Sequence, residues 1–110
     1  PQVRAQWVPL FERLGVAVGF ENHDHALKRT HPLIAGKTDP SGVTYLGDGA
    51  WGVGERKPEG PDKRPYLVQS AAKRHAWLVA VGEKTLAARA IGEDGAELDR
   101  VELAPRPAAP

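Results

Sequence analysis

The chain has 110 residues, 15 Lys and Arg against 14 Asp and Glu, and no cysteine. That length supports one hydrophobic core, and the interspersed charges leave no basic face to attract nucleic acid or an anionic membrane. Disulfides, thiolate nucleophiles and Cys-ligated zinc are excluded, and no stretch approaches the roughly 20 apolar residues of a membrane span, so the expectation is a soluble chain.

In chain order, Val3, Trp7, Leu10 or Phe11, and Leu14 recur at three- and four-residue steps, which predicts a short amphipathic helix ending at Gly15. Pro9 lacks a backbone donor, so the helix is expected to start near Val8 or to kink there. Residues 16–20 form an apolar run without alternation, which predicts a strand covered on both faces. The polar cluster at residues 21–25 follows directly, at the carboxyl end of that strand, where open α/β sheets place their ligand sites. Asp39-Pro40-Ser41-Gly42 predicts a turn and residues 43–46 a second strand. Residues 47–65, rich in glycine, proline and charge, predict an exposed loop. Residues 66–71, 75–81, 85–91 and 97–103 predict a meander of strands, with Gly82-Glu83 and Asp94-Gly95 as hairpin turns. The tail at 104–110 holds only alanine, proline and arginine, and is expected to fray or to lead into a linker. The domain organisation expected is therefore one domain over 1–103 followed by that tail.

His23 and His25 lie two residues apart at a strand end, a spacing that lets both imidazoles reach one metal cluster if the backbone turns sharply between them. On spacing alone, two solvated loop histidines are the better account of the pair. The surrounding order of motifs carries more weight. Gly15-Val16-Ala17-Val18-Gly19-Phe20-Glu21-Asn22-His23-Asp24-His25, continuing through Arg29-Thr30-His31-Pro32, resembles the segment of calcineurin-like, purple-acid-phosphatase-type metallophosphoesterases in which a helix and buried strand lead into Gly-His-x-His. Gly42-Val43-Thr44-Tyr45-Leu46-Gly47-Asp48-Gly49-Ala50-Trp51-Gly52 is similar to the strand and glycine-rich loop that follow there, and residues 75–81 and 94–99 resemble the C-terminal strands.

The resemblance implies the C-terminal half of an αββα sandwich, α/β as a whole and α+β as a fragment, with one N-terminal helix followed by mostly antiparallel strands. It implies hydrolysis of phosphate mono- or diesters at a dinuclear site holding two divalent or trivalent ions, Fe, Zn or Mn, with His23 binding one and His25 the other. It also implies a missing N-terminal half as partner, in keeping with a chain that opens at Pro1 and contains no methionine, and a secreted or periplasmic location. Asn22 stands where the family has glycine, a substitution asparagine accommodates because it visits left-handed backbone readily. Leu27 and Lys28 replace a tyrosine and a glutamate. The upstream ligands of the family, in Asp-x-His, Gly-Asp and Gly-Asn-His motifs, are not in this chain, so it is expected to be inactive alone.

Asn22, Arg29, Asp48 and Trp51 are candidate substrate contacts. Arg29 has an equally good reading as a loop anchor paired to a backbone carbonyl or an acid, and Trp51 as a core residue. His31 and His75 lack a partner at ligand spacing and are expected to be surface or satisfied structural histidines. Trp77, in an apolar strand, is expected in the core. The alternative function is a non-catalytic α+β binding module, using the glycine-rich loop and Trp51.

Overall fold

A computed structural model describes residues 2–22, 25–48, 54 and 57–108. Helix α1 (Gln2–Arg13) runs unbroken through Pro9, earlier than a start at Val8. Its C-terminus is closed by two backbone bonds, Leu14 N–H to Leu10 O at 2.8 Å and Val16 N–H to Phe11 O at 3.1 Å. The second of these needs a left-handed residue between helix and strand, and Gly15 supplies it with φ of 79°. A side chain at Gly15 is barred for a further reason: its Cβ would lie 2.7 Å from the Arg106 carbonyl oxygen.

Two principal sheets follow. The first has the order β1-β5-β2-β6, from β1 (Val18–Glu21), β2 (Leu27–Thr30), β5 (Thr44–Asp48) and β6 (Leu67–Ala71). β1 and β5 are parallel, Val18 opposite Thr44 and Glu21 opposite Gly47, and the other pairings are antiparallel. A short hairpin, β3 (Leu33–Ile34) with β4 (Lys37–Thr38), turns through Ala35 and Gly36, both at positive φ. The second sheet is the antiparallel meander β7 (His75–Val81), β8 (Leu86–Gly92) and β9 (Glu97–Leu103). The fold is therefore an α+β domain with mostly antiparallel strands and, among the described residues, one helix.

Two expectations are corrected, and one strand is added. β1 is an edge strand among the described residues, not one covered on both faces, and Phe20 remains 48% exposed. β6 pairs with β2 and leaves the meander with three strands instead of four. β2, a segment to which the sequence reading assigned no element, is a central strand.

The core lies where the sheets face each other. Leu27 and Leu46 from the first sheet are buried, with Ala88 and Ala90 from the second. Arg29 and Asp99 join β2 to β9, and Gln69 Nε2 donates to Leu98 O between β6 and β9. Trp77 is half-buried, and its indole N–H donates to Gly47 O at 2.9 Å.

The described part of the tail, residues 104–108, is held at Arg106 instead of frayed. The Arg106 guanidinium donates to the carbonyls of Phe11, Glu12, Val16 and Ser41, at 3.3, 3.1, 2.7 and 2.7 Å. It thus satisfies carbonyls that the last turn of α1 leaves without intrahelical partners. By contrast, the apolar stripe expected to be packed is largely bare: Trp7 is 52% and Leu14 61% exposed.

Candidate functional site

The chain leaves β1 at Glu21 on one side of β5 and returns as β2 at Leu27 on the other. The five-residue connection between them has to span about two strand spacings, roughly 10 Å, and does so at the carboxyl end of β5. Asn22, exposed, and His25, half-buried, are the described residues that flank that end. Leu27 lies directly opposite Asp48, the last residue of β5. His23 and Asp24, and with them half of the histidine pair, lie outside the described residues, as does Trp51.

Asp48 is the described carboxylate at this end with an unmet need. Its Oδ1 is buried and has no hydrogen-bond partner among the described residues. Burial raises its pKa above the usual carboxylate value, and the charge of Glu21 adds to the rise; His75 and the residue's own backbone amide act in the opposite sense. A half-buried acid beside a second acid favours a cation or a proton as neighbour.

Beneath Asp48 lies an arrangement the sequence did not announce. The carbonyl of Gly47 accepts from Trp77 Nε1 at 2.9 Å and lies 2.9 Å from His75 Nε2. The His75 ring is fully buried, and its Nδ1 faces Lys73 O, also at 2.9 Å. Both ring nitrogens lie within hydrogen-bond distance of a carbonyl, which makes His75 a buried structural histidine and excludes the surface alternative. It and Trp77 stand edge to face, with centroids 6.2 Å apart. Two residues apart, one full period of a strand, they reach the same carbonyl and tie the end of β5 to the second sheet. That period was the available signal, since a histidine and a tryptophan at positions i and i+2 share one face.

Arg29 is brought to a different use from the substrate contact. Its guanidinium grips Asp99 through Nε at 2.7 Å and Nη2 at 3.2 Å, and the Asp99 side chain is only 6% exposed. The fork geometry is that of a two-pronged carboxylate pair, which favours the anchor reading. Tyr45 lies on the other side of β5, its ring against Gly19 and its hydroxyl buried without a partner among the described residues; burial, then the charge of Glu12, raises its pKa.

The structure thus gathers Asn22, His25 and Asp48 at one end of the first sheet and sets Arg29 apart from them as an inter-sheet anchor. No helix among the described residues is long and apolar enough to cross a membrane. No family model matches the chain, and no curated protein matches it significantly.

Proposed function

We infer that the chain is part of a metal-dependent phosphoesterase and contributes His23 and His25 to a site for two metal ions. The observation that supports the reading is the place of the His-x-His segment: it joins two strands across the carboxyl end of a third, where one pairing is parallel and where ligand sites of such sheets lie. The donor chemistry fits a share of such a site. His25 offers an imidazole and Asp48 an unpartnered carboxylate oxygen, a combination that Zn, Fe or Mn accepts. Among the described residues no three His, Cys, Asp or Glu side chains converge tightly enough to hold an ion. The remaining ligands are assigned to His23 and to an upstream half of the protein.

When bound, a metal pair supplies a deprotonated water and stabilises charge on the attacking and leaving oxygens of a phosphate ester. The chain's own residues serve this chemistry by position. The clasp of His75 and Trp77 on Gly47 fixes the end of β5, and with it Asp48, below the connection that carries the histidines.

The test is made on the complete protein, with metal content and hydrolysis of p-nitrophenyl phosphate measured for wild type, His23→Ala and His25→Ala. Loss of metal and activity together in either variant supports the assignment, whereas unchanged values in both overturn it. The 110-residue chain alone is expected to show no turnover.

A further inference from the structure

The two outer strands of the meander are built oppositely. β9 carries Glu97, Asp99, Arg100 and Glu102, pairs with β8 through a register irregularity, and is followed by Pro105 and Pro107. Charges, bulges and prolines are the devices by which proteins keep a sheet edge from recruiting another strand. β7, His75-Ala76-Trp77-Leu78-Val79-Ala80-Val81, has no acid, lysine, arginine or proline and pairs with β8 in regular register throughout. Among the described residues nothing pairs with its outer edge, and Leu78 and Val81 are 58% and 77% exposed.

The register says which groups that edge presents. Gly82 N–H donates to Thr85 O at 2.8 Å, which makes the pair closing the hairpin a hydrogen-bonded one. Alternation along β7 then turns Ala76, Leu78 and Ala80 toward β8 for their backbone bonds. The N–H and C=O groups of Trp77, Val79 and Val81 point outward.

We propose that the outer edge of β7 pairs with β7 of a second copy of this chain, antiparallel about a two-fold axis at Leu78, to give a continuous six-stranded sheet. Each outward group then finds its match: Trp77 faces Val79 of the other copy, and Val79 faces its Trp77. Leu78 meets Leu78 as a non-hydrogen-bonded pair, the class in which side chains lie closest. No like charges are set against each other, whereas β9 paired with itself about its central residue would set Arg100 against Arg100. The pairing also places the end of β7 buried at His75 beside the bare end at Val81 of the other copy, so each shields what the other exposes. Area argues for a weak dimer. A single seven-residue strand pair buries less than the ~1,200 Å² at which stable interfaces begin.

Sedimentation equilibrium on the 110-residue chain tests this. The expected result is an average mass that rises from 11.9 kDa toward twice that value with concentration, with no larger species. Leu78→Lys sets two ammonium groups face to face and should lower the association constant at least tenfold with the circular dichroism spectrum unchanged. Val79→Pro removes an outward donor that β8 does not use, and should do the same. The chain has no cysteine, so Leu78→Cys reports directly: oxidation should give a cross-linked dimer, while Glu102→Cys on the β9 edge should not. The proposal fails if the wild type stays at 11.9 kDa up to about 1 mM, if Leu78→Lys associates like wild type, or if association runs on into open-ended aggregates.

Discussion

The two sheets differ in how far apart in sequence their partners lie. In the meander each strand meets its chain neighbour through a short turn, Gly82 to Thr85 in one case and Gly92 to Ala96 in the other. In the first sheet β5 is inserted between β1 and β2, and β6 reaches back to β2 from 37 or more residues away. The meander holds together by local pairing, with an apolar or small-residue face. The first sheet depends on contacts that cross the molecule, several of them polar, and it carries the candidate site. Placing a site on the part of the fold that rests on long-range contacts makes it sensitive to substitutions far from it.

The sharpest break in this comparison is Leu46→Ala. Leu46 is fully buried in β5, and its truncation should cost about 2–5 kcal/mol, measured by urea unfolding, and should loosen the end of β5 with it. Next comes Arg29→Ala, which leaves Asp99 nearly enclosed without its counter-charge. A loss of about 2–3 kcal/mol is expected, below the full figure for buried pairs because Arg29 is partly exposed. The joint replacement Arg29→Met with Asp99→Leu should recover much of it, and no recovery would show that the pair is not the inter-sheet anchor described.

Arg106→Ala comes third. It removes the donors to the end of α1, and a loss of about 1–2 kcal/mol is expected, together with a weaker helical signal at 222 nm. Arg106→Lys should not restore it, because one ammonium group cannot span four carbonyls.

The smallest effect belongs to the meander's surface. Arg89 and Arg100 hold the Glu97 carboxyl below the usual carboxylate range. A depressed acid stabilises the fold above its unfolded pKa and ceases to as pH falls through its folded one. Wild type and Glu97→Gln should therefore differ slightly at neutral pH and converge in acid once pH has fallen through the lowered pKa, and added salt should shrink the difference. Asp48 runs the other way. Its raised pKa means that ionisation opposes folding, so Asp48→Asn should gain stability over wild type as pH rises through the upper carboxylate range and match it in acid.

What the sequence made legible follows the same division. Alternation and turn residues placed β9 at Glu97–Leu103 and the Asp94-Gly95 turn, since both depend on neighbours a few residues away. β2 escaped notice because Leu-Lys-Arg-Thr has neither apolar alternation nor a β-branched run. Its place in the sheet comes from Asp99, 70 residues on, and from Thr30 Oγ1 accepting the Tyr45 N–H. The tail was misjudged because composition weighs alanine and proline and passes over one arginine's geometry. At the candidate site, the position of the Asn22 to His25 tip beyond a strand end was legible from the apolar run before it. The burial of Asp48 was not, and for Arg29 the sequence left the anchor and the substrate contact even, because its partner Asp99 lies 70 residues on in the second sheet.

The insertion of β5 between β1 and β2 also has a temporal side. β1 and β2 are joined by five residues yet do not pair with each other, so β1 gains no ladder until residues 44–48 have arrived, and β2 gains one only from β5 or from β6, 37 or more residues on. β7, β8 and β9 zip as successive hairpins, each on the microsecond scale for such units. The expected order of assembly is thus the reverse of the order of synthesis. The C-terminal meander forms a platform first, and the N-terminal strands, with the histidine segment they carry, settle on it last.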